Sequence, residues 1–180
     1  MTQMPPTPQE SYGAPVAGRP GELLDRFLAR LIDGILLAVV NGVIVSLIVV
    51  GAVMGESASG FTAASSAIAG IVAAVISTAI YLGYFGFMES SRGQTVGKMA
   101  MKLQTMGPQG GHPTMEQAIR RNIFMAFGLA GIIPIIGGII GGLAQLVAVI
   151  MIAVGINSDP VRRQAWHDKF AGGTTVVKIG

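Results

Sequence analysis

Three apolar stretches of this chain are too long for the core of a soluble protein of its size. They cover about residues 31–54, 66–88 and 123–154, and the one formally charged residue within them is Asp33. A helix needs about 20 predominantly apolar residues to cross the hydrocarbon core of a bilayer. Because each stretch reaches that length, the chain is predicted to be an integral membrane protein.

The composition excludes several other classes. Charged residues make up 12% of the chain, about half of the usual share in soluble proteins. The excess of 12 basic over 9 acidic residues is too small to indicate a nucleic-acid partner, and the absence of cysteine excludes disulfides and thiolate zinc sites. We therefore expect the lipid bilayer as the partner, with no nucleic acid, no cofactor and no metal.

The chain divides into a tail and a membrane domain. Residues 1–21 hold five of the nine prolines together with Gln, Ser, Thr and Gly, a composition that cannot bury enough apolar area to fold. We expect this segment to be a disordered cytoplasmic tail. Residues 22–178 are predicted to form the transmembrane domain.

The last apolar stretch is predicted to fold back on itself. It is 32 residues long and carries Pro134, Gly137 and Gly138 near its middle, where proline and paired glycines favour a break. We expect a hairpin with arms at about 117–133 and 138–156, and the sequence leaves open whether the first arm crosses fully. With spans at about 31–54 and 66–88, the predicted fold is all-α, a small polytopic bundle of about four helices.

The placement of basic residues predicts the topology. Basic residues near the ends of spans stay on the cytoplasmic side, and the linker 55–65 has neither Lys nor Arg. If the last stretch forms a hairpin, all 12 basic residues lie on one side of the membrane. We therefore expect both termini to be cytoplasmic.

The first helix places charges at the edge of the membrane. Arg26, Arg30 and Asp33 share one face, because at 100° per residue Asp33 lies about 20° from Arg26 and about 60° from Arg30. We favour a structural ion pair between Asp33 and one of these arginines. The alternative is a polar stripe that serves as an ion or proton relay.

Two further segments contain residues of the kinds that bind ligands or catalyse reactions. The run GQTVGK at 93–98 is not a phosphate-binding loop, because Arg92 and Met99 stand where that motif needs Gly and Ser or Thr. Beyond the last span, Trp166 is predicted to anchor at the headgroups, and Asp168 to pair with a nearby Arg. Since no Ser-His-Asp, Cys-His or metal-ligand arrangement is present, we expect the protein not to be an enzyme.

Small residues recur every four positions in the predicted spans, a spacing that lets helices pack closely. The second span has Ser66, Gly70, Ala74 and Thr78, and the last arm has Gly138 with Gly142 and Ala144 with Ala148.

Several motifs together resemble the RDD family of small bacterial membrane proteins. They are RFLARLID at 26–33, GQTVGK at 93–98 followed by MAMKL, AIRRN at 118–122 and HDKFAGGTTVV at 167–177. The resemblance places the family's hallmark Arg and first Asp at Arg26 and Asp33, and its other Asp at Asp168. It also implies a multi-pass protein of the bacterial plasma membrane. Because a few members have been linked to cation/proton exchange, exchange is what the resemblance implies here.

Two functions follow as hypotheses. The first is a transporter of cations, protons or small solutes that uses Asp33, and its small size would require a homo-oligomer to enclose a path. The second is a membrane scaffold or accessory protein that binds partners or anionic lipid through its basic cytoplasmic face. The candidate functional residues are Arg26, Arg30, Asp33, Lys98, Arg121, His167 and Asp168.

The topology can be tested by cysteine labelling, since the natural chain has no cysteine. A membrane-impermeant reagent added from outside should modify a cysteine placed at Ser59, in the linker 55–65, and should not modify one placed at Ser158. Labelling at Ser158 from outside would refute the hairpin.

Overall fold

The computed structural model of the protein describes residues 18–55, 63–133 and 136–180. The predicted tail up to residue 17, linker residues 56–62 and Pro134 lie outside the described residues. The described part contains two long helices, a helical hairpin, and short helices and strands gathered at one end.

Helices α1 (Leu23–Gly55) and α2 (Ala63–Arg92) correspond to the first two predicted spans. They run antiparallel, because Asp33 near the start of α1 contacts Tyr84 near the end of α2. Three segments of the described chain are long and apolar enough to cross a membrane: Leu23–Gly51, Ala67–Arg92 and Gly137–Ser158. Their outward surfaces carry many exposed Leu, Ile and Val side chains, which in water would form an unusually large apolar patch.

The first arm of the predicted hairpin is not a continuous α-helix. Helix α4 (Met115–Asn122) begins at Thr114, whose hydroxyl accepts a hydrogen bond from the Gln117 backbone N–H, while the Gln117 side chain accepts one from the Thr114 N–H. The two side chains thus form a capping box, in which each satisfies a backbone N–H at the start of the helix. A 3₁₀ helix, Ile123–Ile132, follows directly, and its length is unusual for this helix type. The segment 117–133, predicted as one helical arm, therefore changes helix type at Asn122.

The second arm, α5 (Gly137–Ser158), packs antiparallel against the 3₁₀ helix. A Cβ atom at Gly137 would collide with the carbonyl oxygen of Ala130, and one at Gly141 with that of Phe127. The sequence predicted close packing at Gly138 and Gly142, but a Cβ at either position would meet nothing within 4 Å. The prediction was therefore one residue out of register. Glycines occupy both possible pairs, 137 with 141 and 138 with 142, and only the position of the partner helix decides which pair makes the contact.

A small sheet corrects the all-α prediction. Strands β1 (Arg19–Pro20), β2 (Leu103–Met106) and β3 (Thr175–Lys178) form an antiparallel sheet in the order β1-β3-β2. Leu103 and Val176 pack with Ala29 of α1 in a buried apolar cluster. Helix α3 (Val96–Ala100) lies before β2, and α6 (Trp166–Phe170) before β3. These elements are too short to show the hydrophobic periodicity by which a strand or a helix is recognised in a sequence.

The sheet joins the two ends of the described chain. Arg19 of β1 is paired with Lys178 of β3, so the start of α1 and the end of the chain lie at the same end of the bundle. This arrangement fits an even number of crossings, as the hairpin requires. Which side of the membrane this end faces stays a prediction.

The register of the hairpin can be tested with adjacent glycines. We expect Gly141→Leu to lower the free energy of unfolding by about 1–3 kcal/mol, because the new side chain overpacks the contact with Phe127. Gly142→Leu is the matched control, since a Cβ there has open space. Thermal unfolding of the purified protein in detergent measures both, and equal Tm values for the two variants would contradict this register.

Candidate functional site

Asp33 is held by hydroxyl and backbone donors. Its carboxylate is 0% exposed. Oδ1 accepts hydrogen bonds from Tyr84 Oη and the Gly97 backbone N–H, both at 2.7 Å, and Oδ2 accepts one from Thr95 Oγ1 at 2.6 Å. The favoured ion pair between Asp33 and Arg26 or Arg30 is therefore wrong. Three short, well-placed donors from α2 and from the start of α3 satisfy the charge instead.

Gly97 allows α3 to reach Asp33. A Cβ atom at this position would collide with the carbonyl oxygen of Ala29 and would lie 3.0 Å from the Asp33 carboxyl carbon. Only a glycine therefore lets the backbone of α3 come this close to α1. Thr95 and Gly97 of the GQTVGK motif in this way bind the carboxylate of Asp33 on α1.

Lys98 and Arg121 share two partners. Lys98 Nζ donates to Glu89 Oε1 at 2.6 Å and to Thr105 Oγ1 at 2.7 Å. Arg121 Nη1 donates to Thr105 Oγ1 at 2.9 Å and lies 3.6 Å from Glu89 Oε2. Burial lowers the pKa of Lys98 to about 8, against the raising effect of Glu89.

Asp168 joins three parts of the chain. Its Oδ1 lies 3.0 Å from Arg121 Nε on α4, and its Oδ2 lies 3.6 Å from Arg26 Nη1 on α1. Oδ2 also accepts a hydrogen bond from the Ala165 N–H at the start of α6. Burial would raise the pKa of Asp168, but Arg121 and the other positive neighbours lower it below its usual range. The predicted pairing of Asp168 with an arginine is confirmed.

The two arginines of α1 have separate partners. Arg26 donates from Nε to the Gly21 carbonyl at 3.1 Å and from Nη2 to the Val176 carbonyl at 3.3 Å. Arg30 Nη2 donates to Asn122 Oδ1 at 3.0 Å. The Arg30 guanidinium also lies 3.9 Å from the centre of the Phe85 ring, a cation–π contact.

His167 is buried and neutral. Burial is the main cause that lowers its pKa to about 3; Asp168 opposes this shift, and Arg121 adds to it. The 3.8 Å contact between His167 Nε2 and Asp168 Oδ1 is therefore polar and not ionic at neutral pH. Trp166 contacts the His167 ring and donates from Nε1 to the Ala148 carbonyl at 3.3 Å, so its indole packs against the bundle.

We use the name charged cluster for seven buried or largely buried ionisable side chains at this end of the bundle. With His167 neutral, the charged cluster has four cations and three anions. Separating an ion-paired member from its partner, such as Lys98 from Glu89 or Arg121 from Asp168, would leave a buried, unpaired charge, which typically costs about 3–5 kcal/mol. The members are Arg26, Arg30, Asp33, Glu89, Lys98, Arg121 and Asp168.

Two cavities meet at Arg30. Cavity 1, of about 150 Å³, lies against the charged cluster and between α1 and α5. Cavity 2, of about 510 Å³, lies deeper in the bundle between α1, α2, the 3₁₀ helix and α5. Arg30 lines both cavities. The polar residues around cavity 2 include Ser77, Thr78, Tyr81 and Gln145.

All seven candidate residues named from the sequence come together here. Six of them line cavity 1, and Asp168 contacts three of those six. Sequence reasoning missed Glu89 and the polar partners that complete the network. Glu89 stands one residue beyond the second predicted span, and this position next to an apolar stretch was the available signal. The missed partners are Tyr84, Thr95, Thr105 and Asn122.

The apolar helices and the charged cluster at one end of them define a helical membrane protein. Residues 20–172 match the sequence profile of the RDD family, and the chain belongs to that family. No curated protein and no solved structure matches the chain. Among the described residues, no three His, Asp or Glu side chains come together as metal ligands.

The buried, neutral His167 predicts loss of stability in acid. The unfolded chain takes up a proton near the ordinary histidine pKa of 6.5, whereas the folded protein does so only near 3. The folding free energy that depends on this residue is therefore present above pH 6.5 and lost as the pH falls. By pH 4.5 we expect a loss of about 2–3 kcal/mol.

Thermal unfolding between pH 7 and 4.5 measures this loss. His167→Gln should flatten the pH dependence, because glutamine does not titrate. His112→Gln is the control, since His112 is exposed and its removal should leave the dependence unchanged. A His167→Gln profile as steep as that of the wild type would contradict the assignment.

Proposed function

We propose that this RDD family protein is a multi-pass carrier of the bacterial plasma membrane that moves an ion or a small solute and is not an enzyme. The observation that carries the proposal is the meeting of cavity 1 and cavity 2 at Arg30. Two consecutive cavities extend from the charged end of α1 into the apolar part of the bundle, along the direction in which a solute would have to cross.

The lining of cavity 2 supports this proposal. Ser77, Thr78 and Tyr81 lie on α2 and Gln145 lies on α5, within two of the three candidate spans. Polar side chains inside spans face bundle interiors or water-filled spaces and often mark solute pathways. The cavity therefore offers hydrogen-bond partners to a solute at a depth where lipid offers none.

Arg30 separates the two cavities. It is held on one side by Asn122 and stacks on Phe85. A cation–π contact contributes about 0.5–2 kcal/mol, so moving Arg30 requires the loss of that contact and of its hydrogen bond to Asn122. We infer that its movement joins the cavities and permits passage.

Asp33 is the proposed coupling residue for cations or protons. Its carboxylate lines cavity 1 beside Arg30, but both of its oxygens are occupied by donors from Tyr84, Thr95 and Gly97. A cation that bound Asp33 would therefore displace at least one hydroxyl group. Such an exchange would couple occupancy of the site to the contact between α1 and α3.

Transport can be tested with two glycines of α1. Gly34 lines cavity 2, while Gly42 lies on the exposed side, and a Cβ at either position would meet nothing within 4 Å. We expect Gly34→Leu to fill the path and to lower the initial flux at least about tenfold, a barrier of about 1.4 kcal/mol, while Gly42→Leu retains flux. The measurement uses proteoliposomes that contain a pH-sensitive dye, with imposed sodium, potassium or proton gradients.

The Asp33→Asn variant, measured in the same vesicles, tests whether Asp33 couples binding of a cation or proton to transport. The asparagine can still accept hydrogen bonds through its oxygen, and its amide can donate to the Thr95 hydroxyl. We therefore expect the variant to fold and to keep its oligomeric size. In the vesicles, an imposed ion gradient should no longer change the internal pH. Equal flux in the Gly34→Leu and Gly42→Leu proteins would reject this path, and flux unchanged in Asp33→Asn would reject the coupling role.

A second candidate function is that of a scaffold or accessory protein, working as a homo-oligomer or with other proteins and lipid. The observation that favours it is a set of exposed basic side chains, which can attract anionic lipid. If wild-type protein gives no flux with any of the three ions, this function becomes the better explanation. The exposed residues are Arg19, Arg92, Lys102, Arg120 and Lys169.

A further inference from the structure

Cavity 1 has two unlike walls. One wall is the polar surface of the charged cluster, with Asn122 and His167 beside it. The other wall is apolar and consists of side chains from α1 and α5. An occupant that satisfies both walls must be amphiphilic. The apolar wall is formed by Leu23, Phe27, Val149, Ile152, Ala153 and Ile156.

The cavity lies beside the lipid-facing surfaces of two candidate spans. Phe27 of α1 and Val149 of α5 both line it and are 58% and 45% exposed. Both helices carry further exposed apolar side chains around these positions, such as Leu24, Leu31 and Ile150. The cleft between α1 and α5 at this point therefore connects the charged cluster with the hydrocarbon region of the bilayer.

Two buried nitrogen atoms beside this cavity lack a hydrogen-bond partner. They are Arg26 Nη1 and His167 Nδ1, and the side chains that carry them are only 9% and 7% exposed. Glu89 also lines the cavity and has one oxygen, Oε2, without a hydrogen-bond partner, but this oxygen lies 3.6 Å from the cationic Arg121 Nη1. Arg26 Nη1 has its ion-pair contact to Asp168 at 3.6 Å, which is too long for a hydrogen bond. Unpartnered buried polar groups are rare and call for an explanation.

The charge balance points to an anion. The charged cluster has one cation more than it has anions, and His167 adds no charge at neutral pH. A buried cation without a counter-charge is costly. One ligand with a single negative charge would neutralise the cluster and would offer acceptors to Arg26 and to the Nδ1–H of His167 in the neutral tautomer that carries its hydrogen at Nδ1.

We propose that cavity 1 binds the phosphodiester head group of one anionic phospholipid. The phosphate lies against Arg26 and His167, and the acyl chains lie in the cleft between α1 and α5. A volume of about 150 Å³ equals the share of about five water molecules in the liquid. It accommodates a phosphate group, but the chains must remain outside, along the exposed helix surfaces.

This inference does not rest on transport. A lipid in the cleft would close the lateral opening of cavity 1 toward the hydrocarbon, whether or not a solute crosses at Arg30. The site also differs from the exposed basic residues, because its ligand binds inside the bundle and not at the surface. Binding can therefore be measured in detergent, independently of any flux.

The first measurement compares head groups on the wild-type protein. Delipidated protein in detergent is titrated with phosphatidylglycerol or with phosphatidylcholine of the same acyl chains, and binding is followed by native mass spectrometry and by Tm. We expect one tightly bound phosphatidylglycerol per protomer and a higher Tm, with affinity at least about tenfold above that for phosphatidylcholine. Equal affinity for the two lipids would overturn the proposal.

The second measurement locates the site. Ala153→Trp places a large side chain in the cleft, and we expect it to lower phosphatidylglycerol affinity at least about tenfold. Ala38→Trp is the control, because Ala38 of α1 is exposed and lines neither cavity. Unchanged affinity in folded Ala153→Trp protein would overturn the location. If that variant does not fold, the comparison of head groups still decides the proposal.

The third measurement separates a lipid from a free phosphate. Glycerol 3-phosphate has the phosphate group without acyl chains, and it is titrated under the same conditions. We expect at least about tenfold weaker binding than for phosphatidylglycerol, because the apolar wall is left uncovered. Affinity equal to that of the lipid would show a site for a soluble anion and would reject the lipid assignment.

Discussion

The pairing of Asp168 with Arg26 and Arg121 is the interaction on which the rest of this end of the molecule depends. A carboxylate with no exposed surface needs cations and hydrogen-bond donors within reach. Its two arginine partners come from α1 and α4, and Asp168 itself lies on α6. One buried anion therefore fixes the first helix, the start of the hairpin and the C-terminal segment relative to one another.

A second carboxylate extends this network toward α2 and α3. Asp33 receives its hydrogen bonds from Tyr84, Thr95 and Gly97, while Glu89 binds Lys98. The polar segment between α2 and α4 is thereby held against the helix ends. The apolar faces of the helices remain turned outward, and the charged cluster remains inside, which is the distribution that a bilayer requires.

The partners of Asp33 in the folded protein differ from the partner that its spacing along the helix predicts. Arg30 stands three residues earlier on the same helix, a distance that permits an ion pair. In the folded protein the three donors to Asp33 come from residues 51 to 64 positions away in sequence. They leave Arg30 to bind Asn122 and to stack on Phe85, where it lines both cavities. A spacing argument cannot include such distant donors.

The sequence by itself determined the membrane helices, because a run of apolar residues of bilayer length has few alternatives to a spanning helix. It also determined the break between the two arms of the last apolar stretch and the set of charged residues that meet at one end. Only the tertiary structure decided which charges pair, which glycines of α5 pack against the 3₁₀ helix, and that three short strands join the two ends of the described residues. These features depend on contacts between residues far apart in sequence, and two adjacent glycines or two nearby arginines are equivalent until the partner helix is in place.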